Sequence, residues 1–148
     1  PDLDGSVGWM DAISLEEEHE SGNVGDEAID LIYVTLKSDL PIAPEIEHKP
    51  QTYPNIRMER LLENDRMIVQ RGQVEPGQWT GVYRHPGNQI FLHIKGGNWS
   101  ERRRGVQHTS GYSEAGSVGW FDAVQQSEGH EAGNTGETTI DFVLVTLK

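Results

Sequence analysis

Residues 5–37 and 116–148 are two copies of one sequence. Gly5-Ser6-Val7-Gly8-Trp9 recurs as Gly116-Ser117-Val118-Gly119-Trp120, and the offset of 111 holds without a gap to Lys37 and Lys148. Nineteen of these 33 positions are identical, among them Asp11/Asp122, His19/His130, Asn23/Asn134 and Gly25/Gly136. That is duplication, and self-similarity constrains a fold before any local pattern does. Both copies close on a strand-like run, Ile29–Leu36 and Ile140–Leu147. An offset of this size matches one small domain. The simplest expectation is a tandem two-domain ancestor. Residues 1–37 would be the remnant of a first domain, 38–54 a linker carrying Pro41, Pro44, Pro50 and Pro54, and 55–148 a complete second domain.

Within the second unit, turn signals interrupt every apolar run. Residues 57–63 and 66–75 read as strands around an Asn64-Asp65 turn, and 89–95 as a strand ended by Gly96-Gly97-Asn98. Residues 99–104, 106–112, 117–124 and 139–147 read as further strands, with a turn at Asn134-Thr135-Gly136. Many short strands between glycine turns predict an all-β sandwich or barrel. No helix longer than about two turns is expected there. Alternation places Gln89, Phe91, His93 and Lys95 on one face of the 89–95 strand and Ile90, Leu92 and Ile94 on the other.

The formal net charge is −12, so a nucleic-acid partner is not expected, because phosphate binding needs a basic face. Most of the excess lies in residues 1–37, which carry ten acids and one lysine. A solvated acidic face accounts for it. No window holds 18 consecutive apolar residues, so no membrane span is expected. No basic start followed by an apolar run appears either, which leaves a cytoplasmic location as the expectation. There is no cysteine, hence no disulfide, thiolate ligand or cysteine nucleophile.

Two spaced motifs resemble those of the cupin superfamily. The first runs Gly77, five residues, Tyr83-x-His85, three residues, Gln89, six residues, Gly96. The second runs Gly119, Gln125, Ser127, His130, Asn134, and it follows after 22 residues. The N-terminal copy keeps the second register as Gly8, Ser14, Glu16, His19, Asn23, with no first motif before it. The resemblance implies an RmlC-like double-stranded β-helix, a jelly-roll barrel, here the second domain of a bicupin with an extra N-terminal β segment. It implies a homodimer and a central site binding one small molecule. It also points Gln89, Phe91 and His93 inward.

The family site holds a first-row divalent metal on three histidines and a glutamate. Here His85 and His130 keep their places, while Tyr83 and Gln89 replace the other two. Two readings follow. In one, His85, His130, Tyr83 and Gln89 hold Fe, Mn, Ni or Zn in an enzyme of a metal-dependent lineage acting on a small organic acid, with His93 as general base. In the other, the metal site has decayed, the same side chains satisfy one another by hydrogen bonds, and the barrel binds a small ligand or serves as a dimerisation module. Arg102-Arg103-Arg104 either supplies a carboxylate clamp or charges an exposed strand edge. His19, without a first motif, is expected to be no ligand. The apolar run 28–37 is expected to be ordered, on a sheet edge or over the Ile90, Leu92, Ile94 face. Exchange of that strand between two subunits is the favoured arrangement.

Overall fold

The computed structural model describes residues 5–14, 16–37, 49–122 and 129–148. Residues 38–48 of the expected linker, and Gln125 and Ser127 of the second motif, lie outside the described residues. The described strands all fall between Met58 and Leu147. They are β1 (Met58–Glu63), β2 (Met67–Val74), β3 (Gln89–Lys95), β4 (Gly97–Arg103), β5 (Val106–Ser113), β6 (Val118–Phe121), β7 (His130–Asn134) and β8 (Ile140–Leu147). No helix occurs among the described residues, so none there is long and apolar enough to cross a membrane.

The strands form two antiparallel sheets, β1-β2-β8-β3-β6 and β5-β4-β7. The β1–β2 hairpin turns at Asn64, whose side-chain oxygen accepts from the amides of Arg66 and Met67. This is the Asx chemistry that makes asparagine a turn residue. The smaller sheet is extended by residues 77–83, which run beside β7 through bridges at Trp79–Gly133 and Tyr83–His130. The chain changes sheets at Gly96. A Cβ there would collide with the Ser113 backbone carbonyl, so the corner requires glycine.

Two sequence expectations for strands need correction. Gly97-Asn98 open β4 and do not form a break, and β7 lies where no strand was expected. The β7 sequence His-Glu-Ala-Gly-Asn has no apolar alternation, because one of its faces looks into a polar site.

The two faces of the larger sheet bury separate cores. Ile56, Val74 and Ile140, with Tyr53, Met58, Trp99 and Phe142, pack between the sheets. Met67, Val69, Ile94 and Val143 pack on the opposite, outer face with Leu61, Leu62, Leu92, Val145 and Leu147. Ile94 is 2% exposed within this single chain, and Gly5 sits against it and against Arg71. At the other end of the N-terminal segment, the Lys37 carbonyl accepts from Arg66.

The extra N-terminal β segment does not form among the described residues. Residues 16–37 contain no strand, and Ile29, Leu31 and Tyr33 are 62%, 65% and 69% exposed. The physical reason is occupancy. The ladder position that this sequence fits is held by β8, and both edges of β8 are already paired, with β2 and with β3. The run keeps its alternation all the same: Ile32 and Val34 are 46% exposed and Leu36 is half-buried.

Candidate functional site

The inner face of β3 begins at Gln89, which is fully buried, and continues through Phe91 to His93. Tyr83 and His85 arrive from the segment beside β7, and His130 from β7 itself. The bridge between Tyr83 and His130 makes these two residues direct neighbours, with ring centroids 4.4 Å apart. His85 lies 5.2 Å from His130 by the same measure and 5.4 Å from Tyr83. Its Nδ1 is 2.6 Å from Gln89 Oε1. The structure therefore brings Tyr83, His85, Gln89 and His130 together. It does not bring His93 to them. His93 sits four residues along β3 from Gln89, about 13 Å at about 3.3 Å per residue. Phe91 packs against it, and its Nδ1 meets Ser117 Oγ at 3.2 Å.

Aromatic rings continue around the cluster. Phe121 stacks on His85 and on Phe91, each at 4.6 Å, and Tyr53 meets Tyr83 edge-on at 4.5 Å. A cleft of about 500 Å³, lined by Thr52, Tyr53, Pro54, Val82, Tyr83 and Arg84, opens beside the cluster and shares Tyr83 with it.

Two further charges face the site from β4. Alternation from Trp99, which packs in the inner core, places Glu101 and Arg103 on the same side. Arg103 Nε donates to Glu101 Oε1 at 2.9 Å, and the Glu101 charge acts on Tyr83, His85 and His130. Arg102 points the other way, pairs with Glu131 at 2.6 Å and lies 3.6 Å above the Trp79 ring. The arginine run does not guard an edge, because β4 is paired on both sides. His19 is exposed.

Burial lowers the His85 pKa against the opposing pull of the Gln89 hydrogen bond and the Glu101 charge. Burial also lowers His130 and His93. The Tyr83 phenol is pushed up by burial, with Glu101 adding to it. The site is thus a pair of neutral imidazoles beside a protonated phenol. A histidine whose folded-state pKa is depressed binds fewer protons folded than unfolded at mildly acidic pH. Its contribution to stability is complete above the unfolded value of 6.5 and is lost as pH falls from there toward the folded value. Urea unfolding should show stability declining below about pH 6.5, by at most about 1.4 kcal/mol per pH unit for each histidine. A flat profile between pH 7 and 5 would contradict this.

The donor set falls short of the metal centre that the motif spacing implies. Such an ion takes three or four ligands. Gln89 is committed on both ends: Oε1 to His85, and Nε2 to Gln51 Oε1 and Thr146 Oγ1 at 3.1 and 3.0 Å. Burial opposes ionisation of the Tyr83 phenol. Among the described residues no group of three or more histidines, cysteines or carboxylates could hold an ion. Two neutral imidazoles remain. Of these, His130 Nδ1 is the buried side-chain nitrogen without a partner.

Gln51, Glu101, Phe121 and Thr146 were not legible as site residues. Only the alternation from Trp99 to Glu101 could have signalled one of them.

No family model matches the sequence, and no curated protein matches it. Solved structures do. A cupin-domain protein of Bordetella pertussis Tohama I aligns with a TM-score of 0.55 at 18% identity, over 66% of this chain and 97% of that one. An RmlC-like cupin of Methanocaldococcus jannaschii aligns at 0.49 and 11% identity, over 67% and 89%. A predicted oxalate decarboxylase of Thermotoga maritima aligns at 0.46 and 22% identity, over 69% and 96%. With two antiparallel sheets closed around a buried inner face, the unit spanning Met58 to Leu147 has the cupin fold, a double-stranded β-helix.

Proposed function

We propose that this barrel is a small-ligand-binding module in which His85 and His130 meet the ligand directly, without a resident metal. The observation that carries the reading is the commitment of the Gln89 amide. The side chain in the glutamate position orients His85 from behind and is not a ligand. A pair of desolvated neutral imidazoles, a phenol and a ring-lined wall suit a small, partly apolar molecule with a few polar groups.

A second reading, a metal-dependent enzyme acting on a small organic acid, draws support from the same pair. Neutral imidazoles are the form that metals bind, and His130 Nδ1 lacks a partner. In that reading His85 and His130 hold a divalent ion, and His93 is the base candidate.

Elemental analysis of the purified protein separates the two. The ligand-binding reading expects Fe, Mn, Ni and Zn far below one per chain. It also expects thermal stabilisation by members of a panel of small alcohols, phenols and organic acids. A ligand at 100 times its dissociation constant adds about 2.7 kcal/mol, and the gain should vanish in His85→Ala. One metal per chain that disappears in His85→Ala would overturn the proposal and establish the metal-dependent reading.

A further inference from the structure

The protons of the site are assigned by a relay of three glutamines that starts outside the motif. Gln51 belongs to the extended stretch before β1, yet it is 2% exposed. Its backbone is clasped by Gln70 on β2: the Gln51 amide donates to Gln70 Oε1 at 2.8 Å, and Gln70 Nε2 donates to the Gln51 carbonyl at 3.1 Å. The Gln51 side-chain nitrogen donates to two backbone carbonyls, Thr52 at 3.0 Å and Arg84 at 3.1 Å. Backbone carbonyls only accept, so the orientation of the Gln51 amide is fixed and its Oε1 is an acceptor. Gln89 must then turn its nitrogen toward Gln51 Oε1 and Thr146 Oγ1, which leaves Gln89 Oε1 facing His85. A turned Gln89 would set two oxygens against each other. Because an amide oxygen only accepts, the hydrogen in the 2.6 Å contact belongs to His85 Nδ1.

We infer that Gln51 is a positioning residue of this site, holding His85 through Gln89 as the Nδ1–H tautomer, so that the bare Nε2 is the atom offered to a ligand. It follows that the ligand donates at this point. A hydroxyl or an N–H fits, and an ionised carboxylate does not. This ligand class rests on the small-ligand reading above; the tautomer does not.

Nitrogen-15 NMR of the histidine rings tests both parts. In the wild-type protein His85 should show a protonated Nδ1 and an unprotonated Nε2 at pH 7.5, and this needs no variant. In Gln51→Ala the Gln89 amide can turn, and His85 should become a mixture of tautomers. His93, held separately by Ser117, should not change, which reports that the barrel is still folded. Gln51→Ala combined with Gln89→Glu should restore a full proton on His85 Nδ1, because a carboxylate has no donor end to present. A wild-type His85 protonated at Nε2, or a Gln51→Ala spectrum identical to wild type, overturns the inference. For the ligand class the probes are phenol and benzoate. Phenol should move the His85 Nε2 resonance, and benzoate at the same concentration should not. The reverse result overturns the donor class. Silence from both removes the small-ligand reading and the ligand class with it, while the tautomer result stands by itself.

Discussion

Gln89→Leu is expected to lower the unfolding free energy by about 3–6 kcal/mol, because it strips two buried groups and one half-buried group of their partner at once. The His85 N–H, Gln51 Oε1 and Thr146 Oγ1 all meet the Gln89 amide. Each polar group left unsatisfied costs about 1–3 kcal/mol. Leucine is close in volume, so the loss reports hydrogen bonding more than packing. Urea unfolding should show a lower midpoint with an unchanged slope. A loss below about 1 kcal/mol would mean that water or a rearranged neighbour satisfies the relay. Gln89→Glu makes the opposite probe. A carboxylate still accepts from His85 Nδ1, and its charge favours the imidazolium, so the His85 pKa should rise from its depressed position. It also adds an anionic donor beside two imidazoles, so titration with Zn should show tighter uptake than in the wild-type protein.

Arg71→Met should cost about 3–5 kcal/mol by leaving a buried carboxylate underpaired. Asp141 is 1% exposed on the outer face of the larger sheet. Arg71 grips it with both ends of the guanidinium, Nε to Oδ1 at 2.9 Å and Nη2 to Oδ2 at 2.8 Å, and Gln73 adds a bond at 2.8 Å. Burial by itself would raise the Asp141 pKa. The bonds from Arg71 and Gln73, together with the Arg71 and Lys95 charges, win and hold it below its ordinary value. The lower end of the range fits best, since the Arg71 side chain is 27% exposed and water screens part of the attraction. The sign of the pH dependence follows. In the wild type the stabilisation from Asp141 is present above the unfolded value of 3.8 and is lost as pH falls through the lower folded value. In Arg71→Met burial dominates, the folded pKa rises, and protonation relieves the penalty. The gap between variant and wild type should therefore be smaller near pH 3 than at pH 7. An unchanged gap would show that Arg71 acts through packing alone.

The motif spacing was enough to foresee that Tyr83, His85, Gln89 and His130 would converge, because each lies at a set number of residues from a motif glycine, Gly77, Gly96 or Gly119. It could not reveal what Gln89 does there. That depends on Gln51, which lies in a proline-bearing stretch that reads as linker and is brought inside by the clasp of Gln70. Glu101 was readable only as part of a charged strand, and Arg103 as either a carboxylate clamp or an edge charge. Their inward direction follows from alternation with Trp99, which packs in the inner core. His93 shares the inner face, as alternation requires, but alternation carries no distance, and Phe91 stands between it and the others.

The duplicated segment separates what sequence decides from what tertiary structure decides, since two related copies, identical at 19 of 33 positions, sit in two surroundings. In both copies the asparagine closes the same turn: Asn23 accepts from the Gly25 amide and donates to the Glu27 carbonyl, and Asn134 does so with Gly136 and Thr138. In both copies the tryptophan indole donates to the aspartate two residues on, Trp9 to Asp11 and Trp120 to Asp122. These contacts span two to four residues, so the local sequence determines them wherever it is placed. The closing run is different. Ile140–Leu147 is a central strand, while Ile29–Leu36 forms no ladder. His130 is buried between Tyr83 and His85, while His19 is exposed. A strand needs hydrogen-bonding edges from elsewhere in the chain, and a site needs side chains from other strands. Only the copy that meets β2, β3 and β4 finds them.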